Sequence, residues 1–247
     1  MIPSSSVFFQ LGPSGLLKWR NAPLLDAPVF TEIRIAPRER FIHSYEFDWT
    51  NPQDIRDAWE DLGATCQNGL STAMGGSNSV SNIRNRLHAL ERTGDTTFRS
   101  TIQAAGARYN LDWRILAAVA IRESGAVTNA VERRRDGTVG NGRGAFQIDS
   151  GPNGQNPSVT YAEALDLAFS ADWAARKLSN LIDQVAREFS NFTPDQVLQA
   201  ALASYNFGIT NISGDPTTID VGTTDSRGEG YPGNYGSNVM DVLKCFQ

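Results

Sequence analysis

Two carboxylates and their neighbours carry the chemistry that is legible in this chain. The first is Glu123, in the stretch AIRESGA. Ahead of it, Ile115, Leu116, Val119 and Ala120 recur at i, i+1, i+4 and i+5, the buried stripe of an amphipathic helix. Glu123 falls at i+8 of that stripe, while Arg114 and Arg122 fall on another face that reads as solvated. Lost hydration disfavours a charged carboxylate, so burial there predicts a raised pKa and a proton held near neutral pH. That is the profile of a general acid. A glutamate that caps or pairs near a helix end is the competing reading, because Ser124 and Gly125 stop the helix. The second carboxylate is Asp149, which ends GNGRGAFQID at residues 140–149. Alternation along that stretch predicts Phe146 and Ile148 pointing inward and Gln147 and Asp149 the other way. An amide and a carboxylate would then enter one cleft. A cap or turn aspartate is the alternative.

The elements that must hold these residues are helical from about residue 80 onward. Val80, Ile83, Leu87 and Leu90 mark one helix, residues 97–109 a second, and the Glu123 helix follows over about 112–123. Residues 126–158 are rich in Gly, Asn and Asp and read as irregular with a short sheet. Thr160 and Glu163 form a capping box for one long helix to about residue 189. Thr193 and Gln196 form another, with Pro194 at the first helical position, and that helix buries Val197, Leu198, Ala201, Leu202 and Tyr205. Residues 207–230 read as loop, and a last helix spans about 235–246. Before residue 50 the pattern is β. SVFFQL and GLLKWR flank the turn-forming GPSG as a hairpin, PVFTEIRI alternates, and RFIHSYEF follows. Asn51-Pro52 opens a short helix that ends at Gly63. Residues 64–79, ATCQNGLSTAMGGSNS, are small and polar and read as a linker. The expected organisation is a β-rich module over residues 1–63, a linker over 64–79 and a mainly helical domain over 80–247.

The bulk properties narrow the partners. The net charge is −5 over 247 residues. Residues 1–90 carry 8 basic and 9 acidic groups, and residues 91–247 carry 14 and 18. Neither half is basic enough to suggest nucleic acid as a partner. No apolar run is long enough to span a membrane. The start, MIPSSSVFFQLGPSG, has no basic region and no long apolar stretch, so a secretory signal peptide of the usual make-up is not expected there. Cys66 and Cys245 are either one disulfide or two unrelated thiols. The two histidines, His43 and His88, form no cluster with them, so neither a metal site nor a cofactor is expected.

Four patches in order are ESG at 123–125, GNGRGAFQID at 140–149, ASYNFG at 203–208 and YPGNYGSNV at 231–239. Together they resemble the lysozyme-like transglycosylase superfamily, and within it the goose-type lysozymes, over about residues 80–247. The resemblance implies a mainly α fold, α+β of the lysozyme kind, with the β-rich N-terminal module outside it. It implies an enzyme that cuts the MurNAc–GlcNAc β-1,4 bond of peptidoglycan strands and so acts on the cell wall, outside the cell or in a periplasm, without a cofactor. Glu123 would be the general acid and Asp149 would position water. The family carries a second aspartate two residues before its glycine motif. Thr138 stands there in this chain, and Asp136 is the nearest acid. Ser124, Gln147, Tyr205, Asn206 and Tyr235 would contact the sugar or steady the acid. Two alternatives stand beside the hydrolase: a lytic transglycosylase that leaves 1,6-anhydro ends, and a catalytically silent wall-binding module. The first 63 residues would bind wall polymer or a protein partner.

Overall fold

A computed structural model of the chain describes residues 48–134, 136–220 and 233–247. It also describes the backbone of short strands at 8–11, 17–20, 223–224 and 230–231. Strands β1 (Phe8–Leu11) and β2 (Leu17–Arg20) pair antiparallel, with Phe9 opposite Trp19, as the hairpin reading expects. The stretches PVFTEIRI and RFIHSYEF lie outside the described residues. A separate compact unit runs from Glu46 to Cys245 and carries all four chemical patches.

That unit is mainly helical. Helix α1 (Pro52–Glu60) starts as its local sequence dictates: the Asn51 side chain accepts from Gln53 N–H, and Pro52 takes the first turn, where its missing N–H costs nothing. Its Ile55 and Trp59 are buried, and the Arg86 guanidinium of helix α3 (Val80–Gly94) stacks on Trp59. Residues 64–79 are a correction to the sequence reading. Ala64–Met74 form a helix, α2, that buries Cys66, Gly69 and Leu70. Composition alone hides it because its order is imposed from afar. Cys66 is disulfide-bonded to Cys245, and at Gly69 an added Cβ would lie 2.6 Å from the Val242 nitrogen. Residues 48–79 therefore belong to the same compact unit as the helices that follow them.

Helix α4 (Thr96–Arg108) leads into α5 (Trp113–Ser124), which carries Glu123. Every residue from Ile115 to Ile121 is buried, so α5 is enclosed on all sides and has no solvated face. This corrects the striped reading, and the two arginines show how. Arg114 is bound to Asp112 at the helix start, its side chain 14% exposed. Arg122 donates to the Ala73 carbonyl and lies 5.2 Å from the Tyr235 ring centroid. Gly125 and Ala126, both at positive φ, fold the chain back so that their N–H groups reach the Ile121 and Ala120 carbonyls. Glu123 thus sits in a closed last turn.

Residues after α5 form a three-stranded antiparallel sheet, β3 (Val131–Arg133), β4 (Val139–Arg143) and β5 (Ile148–Asp149). The expected long helix is two, α6 (Tyr161–Leu165) and α7 (Leu167–Glu188). Asp166 adopts an extended conformation between them and caps α7 by accepting from Phe169 N–H. The break is where the sheet arrives: an added Cβ at Gly144 would lie 2.0 Å from the Ala164 carbonyl oxygen. Helix α8 (Pro194–Phe207) begins with the expected Thr193–Gln196 capping box. After two-residue strands β6 (Thr223–Thr224) and β7 (Gly230–Tyr231) comes α9 (Tyr235–Leu243), which packs on α2, α5 and α8. Its N-terminus is capped from a distance: Asp220 accepts from Gly236 and Ser237 N–H at 3.1 and 2.6 Å.

Candidate active site

Helices α5, α7, α8 and α9 and the small sheet converge on Glu123. Burial pushes its carboxyl from an ordinary 4.5 up to about 7. The Tyr235 hydroxyl donates to Oε1, and this bond favours the ionised form. The positive charges of Arg122 and Lys177 pull in the same downward direction, and the negative charge of Glu132 pushes upward. Burial wins, so the group holds its proton near neutrality yet stays within reach of losing it. Tyr235 is itself buried at the first turn of α9. Desolvation and the Glu123 charge keep its phenol well above the ordinary tyrosine range, as a donor.

Asp149 ends β5 opposite Gly142. Its Oδ2 accepts from Gln155 N–H at 3.1 Å, so the loop beyond the strand orients the carboxylate. Phe146 and Ile148 are buried and Gln147 and Asp149 half-buried, in the order alternation predicts. The backbone achieves this differently. Residues 144–147 are a turn, with Gly144 at φ 75 and Gln147 at φ 46, and regular strand starts at Ile148. Gln147 Nε2 donates to the Gly144 carbonyl at 2.9 Å. Asp136 lies in the exposed turn between β3 and β4, where its Oδ1 accepts from the Thr138 N–H and hydroxyl.

The other expected residues divide into two kinds. Tyr205 is buried, its hydroxyl donating to the Phe146 carbonyl at 3.0 Å, and the Glu123 charge reaches it. Asn206, next along, is exposed. Ser124 is committed to the protein: its hydroxyl donates to the Ala145 carbonyl at 2.9 Å and accepts from Val127 N–H. It ties the end of α5 to the glycine-rich turn, so these bonds give a contact with sugar no support. Sequence reasoning missed Lys177 on α7. Its ammonium donates to the Tyr205 carbonyl at 2.9 Å, lies 4.4 Å from the Tyr205 ring centroid, and feels the charges of both Glu123 and Asp149. Burial holds its pKa below the usual lysine value. It also missed Glu132 on β3, whose Oε2 accepts from Gly142 N–H at 3.0 Å. Beside Lys177 a cavity of about 310 Å³ opens, lined by Asn156, Trp173, Arg176, Asn180 and Gln184 among others. Amides, an aromatic ring and cations in one groove suit a polyhydroxylated ligand.

A sequence model of the family described as Lysozyme g matches residues 63–228. The chain belongs to the lysozyme g family. Two relatives carry that name. Lysozyme g of Takifugu rubripes is 26% identical over 159 residues, which is 61% of this chain and 82% of that protein. Lysozyme g of Epinephelus coioides is 28% identical over 149 residues, 58% of this chain and 71% of that one. Membership makes this chain a lysozyme-type glycosidase, in accord with the mainly helical fold. In this lysozyme g family member the matched segment starts at residue 63. It therefore takes in α2, and it stops ahead of α9, which supplies Tyr235. No described helix is long and apolar enough to cross a membrane.

Proposed function

We propose that the protein is a muramidase that hydrolyses the β-1,4 bond between N-acetylmuramic acid and N-acetylglucosamine in peptidoglycan. One observation carries the reading: Glu123 is held near pKa 7 by burial, hydrogen-bonded by Tyr235, and within the electrostatic reach of Lys177, which lines a groove of polar groups. Glycosidic cleavage needs a proton on the departing oxygen and support for a cationic anomeric centre. Glu123 supplies the proton. Asp149, oriented by Gln155, is the carboxylate that directs water, and Lys177 spans the two by its charge. Asp136 is the lesser candidate, because its oxygen serves the turn at Thr138. Gln147, Asn206 and the groove beside Lys177 take the sugars, and Tyr205 and Tyr235 steady the acid. The enzyme then acts on cell wall, outside the cell or in a periplasm. Residues 1–47 add contacts to wall polymer or to a protein partner.

Glu123→Gln on purified peptidoglycan is the test. Loss of a general acid lowers turnover by about 10²–10⁴-fold. Full lytic activity in the variant would sink the assignment. Binding to walls with no lysis by the wild type would mark a wall-binding module instead.

A further inference from the structure

We propose that Glu132 is a further carboxylate of the reaction, taking a proton from the water that Asp149 directs. This rests on the muramidase reading and adds a residue to it. The geometry starts with two glycines. Gly140 and Gly142 lie in β4 without positive φ, so their backbone conformation does not require glycine. What occupies the space beside Gly140 is the Glu132 carboxylate, and Gly142 has Gln147 and Glu132 against it. An added Cβ would lie 1.9 Å from Glu132 Oε2 at Gly140, and 3.2 Å from Glu132 Cβ at Gly142. The carboxylate of Glu132 therefore lies across β4, anchored by the Gly142 N–H. Gly142 is also where Asp149 pairs from the other side and where Gln147 Oε1 would stand 2.8 Å from an added Cβ. Glu132, Gln147 and Asp149 thus gather around one bare strand position.

The register of the hairpin makes this possible. Val131 pairs with Arg143 and Arg133 with Val139, with an irregularity between, which leaves Glu132 free to cross its partner strand. The turn between β4 and β5 is tied to the end of α5 beside Glu123: the Ser124 hydroxyl donates to the Ala145 carbonyl at 2.9 Å and the Tyr205 hydroxyl to the Phe146 carbonyl at 3.0 Å, and the Glu132 charge is felt at Glu123. Asp136, by contrast, is exposed at the tip of the same hairpin and closes its turn.

The chemistry balances with no further reactant than water. Glu132 takes a proton from water as the water oxygen bonds to the anomeric carbon. The bond from that carbon to the glycosidic oxygen breaks, its electron pair stays on the departing oxygen, and Glu123 protonates that oxygen. Glu132 ends neutral and Glu123 ionised, and solvent exchange restores both. Water arriving opposite the leaving group inverts the anomeric centre.

Glu132→Gln separates catalysis from architecture, because an amide oxygen still accepts from Gly142 N–H. On purified peptidoglycan its turnover should fall about 100-fold or more, with KM within a few-fold and the melting temperature held. Sodium azide should restore cleavage by Glu132→Ala and give a glycosyl azide of inverted configuration, since azide needs no base. A Glu132→Gln enzyme with more than a tenth of wild-type turnover would overturn the proposal. So would a folded Glu132→Ala enzyme that azide leaves slow. Glu123→Gln run alongside keeps the readings apart: activity surviving there breaks the muramidase reading, whereas activity surviving only at residue 132 breaks this one.

Discussion

Glu123 and Tyr235 form the central pair, and their coupling has a sign that can be checked. The phenol hydrogen bond favours the ionised carboxylate, so it holds the pKa below where burial alone would put it. In the proposed mechanism the acid form is the working one, and it is lost as pH rises through about 7. The pH profile of turnover should therefore fall on its alkaline side near that value. Tyr235→Phe removes the bond without removing the burial, so the alkaline limb should move to higher pH. A limb that stays put or moves down contradicts the account. Glu123 was legible because a charge that follows a run of apolar helical residues is conspicuous, and Tyr235 through its family motif. Lys177 was not: a lysine on an amphipathic helix looks like a solvated one, and what buries it is Trp173 on its own helix and Tyr205 on the next. Glu132 was hidden for a related reason, since its partners lie eight to ten residues away across an irregular hairpin.

Helix α9 holds Tyr235 in place through contacts that leave no room. An added Cβ at Gly236 would lie 2.2 Å from the Gln199 carbonyl oxygen and 3.1 Å from the Ala203 nitrogen, both backbone atoms of α8. Gly236→Ala must push the two helices apart. It should cost about 1–3 kcal/mol, seen as a lower melting temperature. It should also cost activity, because the neighbouring Tyr235 leaves Glu123. An unchanged melting temperature would contradict this packing. Helix boundaries set by local chemistry were readable in advance: Asn51-Pro52 and the Thr193–Gln196 box cap as their types demand. Boundaries set by distant contacts were not. The stop at Asp166 answers the arrival of Gly144, and α2 owes its order to α9 and a disulfide rather than to its own small polar residues.

The Cys66–Cys245 bond closes the helical unit almost end to end, joining residues 179 apart in sequence. Cross-linking so long a loop restricts the unfolded chain strongly, and such bonds persist in oxidising compartments, which agrees with the proposed action outside the cell or in a periplasm. Replacing both cysteines by serine should cost about 2–5 kcal/mol in urea denaturation, while lysis at low temperature survives. A variant as stable as wild type would show that packing alone fixes α2. On the proposed reading the whole assembly delivers one proton and admits one water to one bond. That claim is tested most directly by digesting purified peptidoglycan in water labelled with heavy oxygen and reading the new glycan ends by mass spectrometry. The account predicts reducing N-acetylmuramic acid ends that carry the label. Unlabelled 1,6-anhydro ends would contradict it.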